Sequence, residues 1–130
     1  MSQNNPLSEV ASFSVDRLTA AARGPAEVAL TGEMAMRDPV AEAGPFFRRV
    51  HDAAAATLGG GTLTVDVTGL AYVNSSGLRV FLDWIAWIGA EAAERRYTLH
   101  FRLARGATWQ AVSFPAIAAI GGPVVRTETV

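Results

Sequence analysis

The sequence predicts an α/β fold, a central β-sheet packed by helices within a single domain. Three observations carry that prediction. Segments with the two-residue apolar period of a strand alternate with segments of helical period. Breaks bearing glycine or proline separate them, among them Gly32, Asp38-Pro39, Gly59-Gly60-Gly61 and Gly121-Gly122-Pro123. A chain of 130 residues that is 50% hydrophobic also suits one domain with one core.

Met1 to Ala11 is polar and is expected to be a disordered N-terminal segment, with the domain running over residues 12–130. Ser12-Phe13-Ser14-Val15 forms a short strand, and Arg17 to Pro25 a mixed connection. Glu27-Val28-Ala29-Leu30-Thr31-Gly32 is a strand ending at a glycine. Asp38-Pro39 starts a helix, with Asp as the cap and Pro at the first helical position, where a missing N–H costs nothing. Gly44-Pro45 restarts or kinks it. Phe47, Val50, Ala54 and Leu58, with Phe46 and Ala53 beside them, then make an amphipathic helix whose outer face carries Arg48, Arg49 and Asp52. Gly59-Gly60-Gly61 ends it; no helix follows the glycines, so a turn is expected rather than a phosphate cradle.

Leu63, Val65 and Val67 alternate with Thr64, Asp66 and Thr68 in a strand that Gly69 interrupts. After Asn74-Ser75-Ser76-Gly77 comes a strongly apolar helix. Leu78, Phe81, Leu82, Ile85 and Ile88 share one face, with Arg79, Asp83 and Ala86 opposite. Val80, Trp84 and Trp87 widen the apolar arc on one flank. Two readings stay open for that flank: cover by another helix, or a surface for a partner or a second copy of the chain. Glu91 to Arg96 is the solvated helix end and turn. Tyr97, Leu99, Phe101 and Leu103 alternate with Thr98, His100 and Arg102 in a strand. Thr108 caps a helix holding Trp109, Val112 and Phe114, which Pro115 should kink or restart before Ile117 and Ile120. Val124-Val125-Arg126-Thr127 is a last short strand.

Asn74 or Ser75 caps the central helix, because a side-chain oxygen there accepts from the free N–H groups of the first turn. Ser75 and Ser76 thereby lie at the positive end of a helix dipole, where a phosphate is well tolerated. On spacing alone Ser75 is an ordinary cap. At these residues the chain resembles a known family, the STAS domains (sulphate transporter and anti-sigma factor antagonist). Their hallmark is a strand, a loop of the form Asp-Ser-Ser-Gly, and a helix opening with Leu. Here it reads Val65-Asp66-Val67, Asn74-Ser75-Ser76-Gly77 and Leu78, and Gly32-Glu33 matches the end of the family's second strand. The resemblance spans Glu27 to Arg126, and the loop is its specific part. Asn74 stands where the family usually has Asp, which looks like a divergent branch of small bacterial STAS regulators.

The resemblance implies a mixed sheet with helices packed mainly on one face. It also implies a non-catalytic bacterial signalling protein that works by partner switching. In anti-sigma factor antagonists the first loop serine is phosphorylated; that position is Ser75, with Ser76 as the alternative acceptor. The implied partners are a serine kinase or anti-sigma factor of the histidine-kinase-like ATPase type and a metal-dependent Ser/Thr phosphatase. Arg79, Val80, Trp84 and Trp87 form the expected docking surface beside the loop. ATP and metal would belong to the partners, and no cofactor to this chain. Asn74 removes a charge next to the acceptor hydroxyl. Two rival readings follow: an unmodified, constitutive docking module and a small-ligand sensor.

Composition narrows the other classes. A net charge of −1 and an isoelectric point near 6.1 argue against nucleic-acid binding through a basic surface. All basic residues are Arg, so neither a Walker A motif nor Schiff-base chemistry is available. The absence of cysteine excludes disulfides and thiolate chemistry. No apolar run is long enough to span a bilayer, and Met1 to Pro6 lacks the features of a signal peptide, so a cytoplasmic address is expected. A Ser-His-Asp hydrolase would need Ser75 or Ser76, His51 or His100, and Asp66. No Gly-x-Ser-x-Gly elbow surrounds either serine. Two isolated histidines make no metal cluster, and the chain is not expected to be an enzyme.

Overall fold

In the computed structural model, which describes residues 7–10 and 12–130, six strands form one mixed sheet whose spatial order is the order of the chain. They are β1 (Phe13–Val15), β2 (Leu18–Ala22), β3 (Glu27–Met34), β4 (Thr62–Val73), β5 (Thr98–Leu103) and β6 (Val125–Thr129). The first two pairings are antiparallel and the last three parallel. The parallel crossovers carry α1 (Pro39–Glu42) and α2 (Gly44–Thr57), then α3 (Ser75–Ala90), then α4 (Thr108–Gly121). Crossovers of one hand between strands taken in sequence order bring the helices to one side of the sheet. Burial agrees: Leu63, Val65, Leu99, Phe101 and Leu103 are buried, whereas Thr64, Thr98, His100 and Arg102 on the other face are only half-buried.

An aromatic cluster fills the space between helices and sheet. Phe81 meets Phe101 and Phe114 edge-on at 5.7 and 5.6 Å between ring centres, and Phe47 lies 5.3 Å from Trp84. Asp38 caps α1 by accepting from the Ala41 amide at 3.3 Å, and α2 restarts at Gly44-Pro45.

Several expectations are corrected. The connection between Arg17 and Pro25 contains strand β2, in which Leu18 and Ala20 are fully buried. Its Leu-Thr-Ala-Ala-Ala sequence has little intrinsic strand preference, so pairing with β3 imposes the extended form. Asp16, at φ 51°, makes the tight turn into it. Leu7 is fully buried within a 3₁₀ turn (Leu7–Glu9), so part of the segment expected to be disordered belongs to the core. Residues 1–6 and 11 lie outside the described residues. Third, α4 runs through Pro115. Both Pro115 and Ala111, whose carbonyl loses its helical donor, are exposed, so that oxygen is not stranded in the core. Finally, Ala107, not Thr108, occupies the cap position of α4.

The strand β4 passes through Gly69 rather than stopping there. Its register against β3 shifts between Ala29 and Thr31 and again between Gly32 and Glu33. A Cβ at Gly69 would come 2.9 Å from Thr31 Cγ2, which explains the glycine. Pairing with β5 ends at Asp66 and Arg102, beyond which the β4 carbonyls need other donors. The buried Gln110 supplies them. Its Nε2 donates to the Val67 and Leu70 carbonyls at 2.7 and 2.9 Å, and its Oε1 accepts from the Ala104 amide at 2.7 Å.

Candidate functional site

The end of β4 delivers the chain into α3 through a loop in which two residues are fixed by packing and two are not. Asn74 is the cap: its Oδ1 accepts from the Gly77 amide at 2.7 Å. Its Nδ2 donates to the Met36 carbonyl at 3.1 Å, tying the β3–α1 connection to the start of α3. The position therefore faces one donor and one acceptor, and an amide matches both. A carboxylate would keep the cap but set two negative oxygens against each other at Met36, a physical reason for Asn74. Gly77 is fixed by space, since a Cβ there would lie 2.7 Å from Val73 Cγ1 and 3.0 Å from Met34 Sδ.

Ser75 and Ser76 carry neither duty. They are the first two residues of α3, both exposed. Neither hydroxyl makes a side-chain hydrogen bond among the described residues. They line an open cleft of about 510 Å³ with Asp38, Val40 and Arg79. Arg79 pairs with Asp83 at 3.7 Å and is 73% exposed. A second cleft of about 300 Å³, with mostly apolar walls, adjoins the first at Val40. Gly44, Pro45, Arg48, Val80, Asp83 and Trp87 complete it. The Arg48 guanidinium lies 5.1 Å over the Trp87 ring, a cation–π contact that holds the rim in place.

The expected docking surface of Arg79, Val80, Trp84 and Trp87 is thus divided. Arg79 is exposed and Trp87 half-buried at the second cleft, but Val80 and Trp84 are 1% and 0% exposed. The buried stripe of α3 is Gly77, Val80, Phe81, Trp84, Ile85 and Ile88. The flank that looked surplus on a helical wheel is the middle of the core face, while Leu78 and Leu82 are only half-buried.

Trp84 also belongs to a buried polar chain that sequence spacing did not disclose. Its Nε1 donates to Tyr97 Oη at 2.8 Å, and Tyr97 Oη lies 2.8 Å from His51 Nδ1. His51 Nε2 lies 2.8 Å from a Glu91 carboxylate oxygen. Because indole only donates and a carboxylate only accepts, one assignment satisfies every contact: Tyr97 donates to Nδ1, and neutral His51 donates from Nε2 to Glu91. Burial lowers the His51 pKa, against the opposing pull of Glu91, and burial raises that of Tyr97. Arg95 and then His51 hold the Glu91 carboxyl below its usual range. Carboxylate, imidazole and hydroxyl have the order of a catalytic triad, but Tyr97 is 3% exposed and its oxygen is already occupied. These contacts form a clamp joining α2, α3 and the residue that leads into β5.

The hydrolase constellation is not assembled. His51 is committed to the clamp, and His100 pairs with Glu128 at 3.4 Å on the open sheet face. Asp66 pairs with Arg23 at 3.2 Å. Burial opposes its ionisation, but Thr68's hydroxyl and amide, helped by Arg102 and Arg23, outweigh that and hold its pKa below the usual range. Neither histidine lines the clefts around Ser75 and Ser76. Among the described residues no group of three His, Asp or Glu side chains is placed to hold a metal. No protein-family model matches this chain, nor does any curated protein or solved structure.

Proposed function

We propose that this chain is a STAS-type signalling domain that docks a regulatory partner over the Ser75 loop and releases it when Ser75 is phosphorylated. The observation that carries the reading is the division of labour in the loop. Asn74 and Gly77 are committed to structure, whereas Ser75 and Ser76 are exposed at a helix N-terminus with their hydroxyls unengaged among the described residues. A phosphate at Ser75 adds about −1.5 to −2 charges. The helix dipole favours that charge by about 0.3–1 kcal/mol, so the domain stays folded. A partner packed over the loop would instead have to bury a strongly hydrated dianion, which is unfavourable.

Arg79 extends the effect to the second cleft. It lies one turn beyond Ser75 (i+4) and one turn before Asp83, its present ion-pair partner. A phosphate draws Arg79 towards itself and leaves Asp83, which lines the apolar cleft, without its counter-charge. The partner-facing residues are therefore Val40 and Arg79 beside the two serines and Trp87 in the adjoining cleft. The kinase, of the histidine-kinase-like ATPase type, and the metal-dependent phosphatase supply the chemistry, in the cytoplasm. Among the described residues no helix is long and apolar enough to cross a membrane.

Intact-mass measurement of the protein from its native cells, with fragmentation, tests the switch. One phosphate on Ser75, absent from Ser75→Ala, is expected. An unmodified protein across growth and stress conditions would overturn the switch in favour of a constitutive docking module.

A further inference from the structure

The helix α4 is uncharged on every side, and one side has no cover among the described residues. None of its fourteen residues is charged. Gln110, Phe114 and Ile117 are buried against the rest of the fold. On the opposite side Ala111, Val112, Pro115, Ala116, Ala119 and Ile120 are exposed. Val112 and Ile120, at 69% and 68%, are the most exposed large hydrophobic side chains among the described residues. The other long helices differ: α2 shows Arg48, Arg49 and Asp52 to solvent, and α3 shows Arg79. A helix that is apolar all round is a buried helix, so this face calls for an occupant. A lipid surface fits poorly, because an interfacial helix carries Lys or Arg on a polar face and α4 has none.

We propose that the occupant is α4 of a second copy of this chain, packed antiparallel about a two-fold axis near Ala116. Charge is the first argument. A two-fold contact brings the same patch of both copies together, so like charges near the axis repel. This helix presents none. Shape is the second. Val112, Ala116 and Ile120 lie on one i±4 row, large, small and large, spanning roughly 12 Å along the axis. Ala111, Pro115 and Ala119 form a lower neighbouring row. Reversed end for end about Ala116, the first row presents the same profile. The ridge that carries Val112 and Ile120 in each copy then lies in the low row of the other. α3 packs between α2 and α4, so this face is separate from the Ser75 clefts and the proposal does not depend on the phosphorylation switch. An interface centred on one helix falls below about 1,200 Å² in total, so association at micromolar concentration is expected.

Sedimentation equilibrium of the full chain from roughly 1 to 500 µM tests this. The weight-average mass should rise from the monomer's 13.7 kDa towards twice that value. Val112→Glu and Ile120→Glu should each weaken association at least about tenfold while leaving the thermal unfolding of the dilute protein unchanged. The chain has no cysteine, so Ala116→Cys offers an independent reading: mild oxidation should join two copies through that position. A wild type that stays monomeric at the highest concentration would overturn the proposal and leave the face to another protein. A dimer that survives both glutamate variants, or that fails to cross-link at Ala116→Cys, would overturn it by placing the contact elsewhere.

Discussion

Single residues decide the chemistry of this protein by how many of their polar atoms are already committed. Asn74 spends both ends of its amide, on Gly77 and Met36, and the serines beside it spend nothing. His51 is the opposite extreme, a fully buried imidazole held neutral between Tyr97 and Glu91. Its pKa is lowered in the fold, so near its ordinary value the unfolded chain binds the extra proton more readily than the native one. Stability from this site is fully present above about pH 6.5 and is lost as pH falls from there towards the lower native value. Urea unfolding at pH 7.5, 6.5 and 5.5 should show that decline. In His51→Phe the part of the slope due to this residue should vanish, and the protein should be about 2–4 kcal/mol less stable at pH 7.5, because Tyr97 and Glu91 lose a partner. A wild-type slope unchanged by the substitution would assign the pH dependence to other groups.

At the scale of elements, what periodicity could and could not reveal has a physical basis. Leu99, Phe101 and Leu103 alternate with polar residues because one face of β5 meets helices and the other does not, and the pattern was legible for that reason. β2 was not legible, since a run of alanines adopts whatever its neighbours impose. α3 was found but rotated: Trp84 is amphipathic, and its indole N–H finds a buried acceptor only in Tyr97, thirteen residues away. Gln110 left no signal either, because its need arises from irregularities in β4, forty residues earlier. Yet it joins α4, β4 and the end of β5. Gln110→Leu keeps the approximate volume and strands the Val67 and Leu70 carbonyls. A loss of about 2–4 kcal/mol in urea denaturation is expected, and a loss under about 0.5 kcal/mol would mean that those carbonyls find water instead.

Across the whole molecule, the parallel strands end where α1 and α3 begin, and the serine loop sits there because β4 outruns its neighbour β5. The loop was legible because its residue types are local; its surroundings were not, because Val40, Arg48 and Trp87 converge from three helices. The limits of the domain were misjudged for a related reason. Leu7 stands in a polar stretch with no periodic neighbours, yet it is fully buried and packs with α2 and β2 beneath the sheet's antiparallel edge. That edge is held by two short antiparallel pairings, so a single anchoring side chain matters to it. Leu7→Ala should cost about 2–4 kcal/mol, within the range for core leucines. Leu7→Met, which conserves volume, should cost less than about 1.5 kcal/mol. Equal stability of Leu7→Ala and wild type would put the functional boundary of the domain at Ser12. The expected loss would instead make the turn before β1 part of the same cooperative unit as the serine loop, so that a change at one end of the sheet is felt through the single core they share.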